Sequence, residues 1–342
     1  MQNNGCEMRE VNNKGGGRNT SVDLLRSAGL LAVMLAHSGK VPDYVMQLRN
    51  FDVILMVMVM AISYTLSDNG FMGYQGYLKK RFMRLIVPAW KFMTLFFAVN
   101  YIAPAALKCA EYTWSDYLDS YIFSSGLPNH GGIGYVWILR NFLLVSFALP
   151  IEKNIMKSLK PKSNLFVFLL LLVANEIIVD AFSYAGVQSI VEEIFIYGFS
   201  YCVVAYYGLI VYRLDRKELV IHSALWGIVY ILLCVRYKFV NTQVVKYPPR
   251  LYYLSYAFFV CIILYILANT HFGKKLGEIR MIRWISQNSY WIYLWHIAVM
   301  WVFEVTIFRE AEISWLIRYV TIVISSFVIT VFFNRIRITL KR

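Results

Sequence analysis

The sequence predicts an all-α, polytopic membrane protein, a bundle of about ten transmembrane helices with both termini in the cytoplasm. Three observations predict it. Of 342 residues, 59% are apolar and 16% charged, against about 45–50% and about 25% in an average soluble domain. The mean hydropathy is +0.53, and the apolar residues come in unbroken runs of the length a helix needs to cross a bilayer, about 20 residues. Lys and Arg are spread unevenly over the polar segments between those runs. The same composition excludes a soluble enzyme of ordinary build, a disordered chain, a collagen and a disulfide scaffold.

The chain opens on an Asn/Gly-rich stretch, 1–20, containing Gly15-Gly16-Gly17. It lacks the apolar core and small-residue cleavage site of a signal peptide, and is read as a polar cytoplasmic tail before one membrane domain over 21–342. Spans are expected near 22–39, 51–68, 85–104, 134–151, 164–182, 190–212, 219–238, 251–270, 284–306 and 314–334. None shows the two-residue alternation of a porin strand, so the spans are helices. With the N-terminus inside, Lys and Arg divide 22 to 8 between inside and outside segments. That bias places both termini in the cytoplasm. It also accounts for the net charge of +14 without nucleic acid.

The largest outside segment, 105–133, carries Glu111, Asp116 and Asp119 and ends Pro128-Asn129-His130-Gly131-Gly132. Cys6, Cys109, Cys202, Cys234 and Cys261 form no C-x-x-C pair, and the five histidines show no H-E-x-x-H spacing. No metal site is expected. No internal repeat of the kind that builds inverted-repeat transporters is apparent.

Chemistry concentrates in the first span. Thr20 or Ser21 is placed to cap it, with Asp23 in the first turn, where negative charge suits the helix dipole. Arg26 and His37 are eleven residues apart, which is three turns plus roughly 20°, so they share a face about 16 Å apart along the axis. Arg26 then sits near the cytoplasmic interface, where it serves equally as a snorkelling anchor. His37 lies past the midplane, and an ionisable group at that depth marks a site. A second cluster, Lys79-Lys80-Arg81-Phe82-Met83-Arg84, puts Arg81 and Arg84 on one face if it is helical. Guanidinium pairs of this kind suit phosphates.

Candidates to orient His37 are Glu176 and Asp180, at i, i+4 on the fifth span, and Glu192 and Glu193 at the start of the sixth. Arg140, near the outer end of the fourth span, can pair with one of these or steady an oxyanion. His296 falls in the depth range of His37, with Tyr293 one turn back on the same face. Trp137, Tyr293 and His296 are the candidates to line the acceptor side.

Four features in order resemble the acyltransferase-3 family of bacterial integral-membrane acyltransferases, over nearly the whole chain after residue 18. They are R-x10-H (Arg26 to His37), R-x-x-R (Arg81 to Arg84), Trp137-Ile138-Leu139-Arg140, and Ser289-Tyr290-Trp291-Ile292-Tyr293-Leu294-Trp295-His296. Two departures stand out. The family's Ser-Gly-Tyr is here Ser63-Tyr64, and no esterase-type domain is expected after the membrane block.

The resemblance implies an acyl group, usually acetyl, carried from cytoplasmic acetyl-CoA to a hydroxyl of a surface polysaccharide or its lipid-linked precursor. The setting it implies is the bacterial inner membrane. His37 would be the catalytic group, and Arg26, Arg81 and Arg84 would hold CoA. Two other readings of the residues remain: a flippase of a lipid-linked glycan precursor, with Arg26, His37 and Glu176 along its path, and a non-catalytic partner in glycan assembly.

Overall fold

A computed structural model describes residues 18–67, 73–102, 112–124, 130–185, 190–307 and 312–339. Residues 1–17 of the expected 1–20 tail, with Cys6, and Cys109, Glu111 and Pro128-Asn129 lie outside the described residues. Among the described residues ten long helices match the ten expected spans: α1 (Thr20–His37), α3 (Asp52–Leu66), α4 (Tyr74–Ile102), α6 (Trp137–Ser158), α7 (Pro161–Ala185), α8 (Ile190–Arg213), α9 (Arg216–Arg236), α10 (Leu251–Ala268), α12 (Arg280–Val305) and α13 (Trp315–Thr339). Among the described residues the short helices α2 (Asp43–Leu48), α5 (Trp114–Tyr121) and α11 (His271–Glu278) join them, together with 3-10 turns at His130–Val136 and Thr242–Val245. There is no strand among the described residues.

Among the described residues eight helical segments are long and apolar enough to cross a membrane, the first running from α2 into α3. The two remaining long helices are α1 and α12. They fall short in apolar content because they carry the polar groups described below. Burial sorts the bundle into layers. The apolar window of α8 is 72% buried, whereas those of α7, α9 and α13 are only 22%, 28% and 22% buried. The outer three turn residues such as Leu170, Ile228 and Val328 outward. Apolar side chains on an outward face are at no cost in hydrocarbon, which is as apolar as they are.

At the centre, α1 packs on α3 and α12, α3 on α8, and α8 on α6. Helix α12 also carries the 130–136 turn and α13. Close approach at the start of α1 depends on Gly277 of α11, whose missing Cβ would stand 2.1 Å from the Thr20 carbonyl oxygen.

Two local expectations are corrected. Helix α1 is capped by Asn19, whose side chain accepts from Val22 N, rather than by Thr20 or Ser21. The helix already includes Thr20, and the Ser21 hydroxyl donates to the Ala268 carbonyl instead, at 2.8 Å. The basic stretch 79–84, expected in a loop ahead of a span beginning at 85, lies in the first turns of α4. Its Lys, Arg and Met residues are good helix formers and simply extend the span.

Candidate active site

Helices α1 and α12 run side by side in the same direction and meet at two polar rungs. At the rung nearer the start of α1, Arg26 donates to Ser63 Oγ of α3 at 2.8 Å and to Ser286 Oγ of α12 at 3.3 Å. Ser286 in turn donates to Asp23 Oδ1 at 2.7 Å, and Asp23 pairs with Arg18. Arg26 is therefore fixed by two hydroxyls and makes no direct ion pair among the described residues. Its guanidinium keeps N–H groups and a full positive charge for a further anionic partner.

Arg81 is held nearby on α4. Its Nε donates to the Tyr77 hydroxyl at 3.1 Å, and the guanidinium lies over the Tyr77 ring at 5.2 Å. Its charge bears on Arg26. Arg84 is exposed. The three arginines thus gather at one end of the bundle, with Arg81 positioned and Arg84 exposed.

The outer rung is formed by two imidazoles. His37 Nδ1 and His296 Nε2 are 2.9 Å apart, and the His296 Nδ1 meets the Tyr293 carbonyl. His296 is completely buried, while His37 is partly exposed. The His37 ring stacks on Tyr135 with centroids 3.7 Å apart and planes 15° from parallel. The Tyr293 hydroxyl donates to the Tyr135 carbonyl at 2.6 Å, so α12 also holds the turn that presents Tyr135. The ring of His37 is thereby fixed in plane, position and tilt.

Around this rung the structure places polar groups that the sequence did not single out. Asp52 receives Arg49 Nη1 at 2.5 Å and Lys246 Nζ at 2.8 Å, and all three side chains are buried. Lys246 lies in the segment between α9 and α10, outside the spans. Burial pushes its ammonium down to about 8, with Asp52 opposing that shift. Burial likewise raises the neighbouring Tyr247 phenol, and Asp52 adds to the effect. The only sequence signal for this cluster is that Asp52 opens an apolar run and Lys246 sits between apolar and proline residues.

Trp137 packs against Tyr197, Tyr201 and Tyr247, with ring centroids 5.5, 6.5 and 5.2 Å away. One turn along α6, Arg140 pairs with Glu193, both buried. The Tyr201 and Tyr253 hydroxyls and Nε and Nη1 of Arg140 are buried without a hydrogen-bond partner among the described residues.

The acidic candidates on α7 are engaged elsewhere. Glu176 accepts from Leu251 N at 2.6 Å, and Asp180 pairs with Arg250 at 2.5 Å. Both hold the start of α10, and the ring that meets His37 is His296. Among the described residues no group of three or more His, Cys, Asp or Glu is gathered as a metal site would require.

A family model described as an acyltransferase domain matches residues 19–335. Comparisons with curated proteins and with solved structures found no match.

Proposed function

The chain belongs to the acyltransferase family whose domain spans nearly all of it, and from that premise we propose that it is an O-acyltransferase of the bacterial inner membrane. It moves an acetyl group from cytoplasmic acetyl-CoA to a hydroxyl of a surface polysaccharide or of its lipid-linked precursor. The observation that carries this reading is the pair of rungs on α1. A guanidinium held by hydroxyls stands three turns below a fixed, partly exposed imidazole on the same helix face.

Acetyl-CoA is a substrate here, and its two parts suit the two rungs. Its phosphates fit Arg26, Arg81 and Arg84. Its thin pantetheine arm then extends along α1 over the about 16 Å that separates Arg26 from His37. His37 takes the proton of the acceptor hydroxyl as that oxygen attacks the thioester carbonyl. The C–O bond forms and the C–S bond breaks. The proton passes from His37 to the departing CoA sulfur, which leaves as the thiol. The unpartnered Arg140 N–H groups and the Tyr201 and Tyr253 hydroxyls are donors for a polyhydroxyl acceptor or for the oxyanion, and Trp137 offers a ring face for a sugar.

The test compares ester-linked acetate on the surface glycan in three strains: wild type, a deletion, and the deletion carrying His37→Ala at matched membrane abundance. Loss in the deletion that His37→Ala fails to restore supports the proposal, with free CoA appearing one-for-one with ester in membranes of the wild type. Full restoration by His37→Ala removes the catalytic assignment. Unchanged ester with a fall in glycan export points to a flippase instead.

A further inference from the structure

Hydrogen-bond logic at the outer rung goes one step beyond naming a base. A backbone carbonyl can only accept, so the contact between His296 Nδ1 and the Tyr293 oxygen requires a proton on Nδ1 of His296. The His296 ring is completely enclosed, and the charges of Arg49 and Lys246 reach this rung. A second proton on that enclosed ring, giving an unsolvated imidazolium, is disfavoured. Nε2 of His296 is then a lone pair, and the 2.9 Å contact is a bond donated by His37 Nδ1–H. That leaves Nε2 of His37 as its unprotonated nitrogen, and no protein group among the described residues occupies it.

We infer that His296 is a positioning residue that selects the tautomer of His37, holding its proton on Nδ1 and presenting its Nε2 lone pair to the acceptor hydroxyl. The inference rests on the reading of His37 as the base. Carboxylates commonly orient a catalytic histidine; here the same task falls to a neutral imidazole, itself oriented by a main-chain carbonyl. A neutral partner suits this depth of the bilayer, where a carboxylate would need its own counter-charge. Stacking on Tyr135 prevents the ring from turning over, so the preference set by His296 is kept when the substrate arrives.

Two measurements on the full chain in lipid nanodiscs test this. The first is independent of turnover: 15N spectra of histidine-labelled protein, with the His37 signals assigned by their loss in His37→Gln. The expected result is His37 protonated at Nδ1 in wild type and shifted toward the Nε2-protonated form in His296→Phe. The second is kinetic. His296→Phe should lower kcat by about 100-fold or more, within the range of a general-base contribution, while KM for acetyl-CoA stays within a few-fold. His296→Gln, whose amide oxygen can accept where Nε2 did, should recover about tenfold of that loss. His37 protonated at Nε2 in wild type, a His296→Phe enzyme with wild-type kcat, or a Gln variant no better than Phe at equal abundance would each overturn the inference. A wild-type protein that releases no CoA would instead defeat the proposed function, and the nitrogen spectra would still decide the tautomer.

Discussion

His37 and His296 are joined ring to ring at 2.9 Å although 259 residues separate them in the chain. Ten residues before His296, Ser286 meets Arg26, eleven residues before His37. The two helices are therefore in register along the stretch where a long, charged-headed substrate would lie.

The arginine end should govern donor binding and leave chemistry largely intact. In Arg81→Ala/Arg84→Ala we expect KM for acetyl-CoA to rise about tenfold or more, as the loss of charge-assisted phosphate contacts implies, with kcat within about threefold. Tyr77→Phe removes the hydroxyl that receives Arg81 Nε and should reproduce a smaller part of the KM effect. Steady-state CoA release against donor concentration checks both, and a double variant with unchanged KM would remove these residues from the donor site.

Arg26 should behave differently from the surface pair. Its guanidinium spans Ser63 on α3 and Ser286 on α12, so Arg26→Lys keeps the charge but loses the fork that reaches both. We expect Lys to bind donor less tightly than Arg and better than Met. Isothermal binding of CoA to the three proteins ranks them, and an order with Met equal to Arg would contradict the assignment.

The buried pair Arg140–Glu193 separates stability from catalysis. Glu193→Gln leaves a buried guanidinium uncompensated and should cost about 3–5 kcal/mol. In Arg140→Met/Glu193→Met neither charge remains, and much of that stability should return. The double variant should nonetheless stay slow in transfer, because the unpartnered Arg140 donors are gone. Melting temperature and turnover, read on the same preparations, distinguish the two roles.

Glu176→Gln and Asp180→Asn should leave kcat within about threefold, well short of a general-base loss, because these groups hold Leu251 N and Arg250 at the start of α10. A kcat loss of about 100-fold in either, the scale of a removed base or orienter, would return them to the His37 site.

Lys246 supplies a pH signature. Its ordinary pKa of 10.5 is lowered to about 8 by burial, so between those two values the unfolded chain binds more protons than the folded one. Stability must then rise with pH across that window, by up to about 1.4 kcal/mol per pH unit from this one group. Below the folded value the contribution is flat. Lys246→Met lacks it, so the melting temperature of wild type should gain on that of the variant between pH 8 and 10. Parallel curves would show that Lys246 titrates normally.

The amino-acid sequence by itself determined the helices and the polar face of α1. Apolar runs of bilayer length allow one structure in hydrocarbon, and eleven residues on a 3.6-residue period put Arg26 and His37 on one side. Helix propensity was legible too, but the end of α4 was misplaced, because basic residues read as loop can extend a helix into the headgroup layer.

Only the tertiary structure decided partners. Glu176 and Asp180 had the right depth and residue type to orient His37, yet α7 lies at the edge of the bundle, facing lipid over most of its apolar window. His296 reaches the ring because α12 packs on α1, and Asp52 meets Lys246 across 194 residues for the same kind of reason. Depth follows from counting residues along one helix. Which helices touch depends on packing small and large side chains across all of them, and no spacing within a single span contains that information.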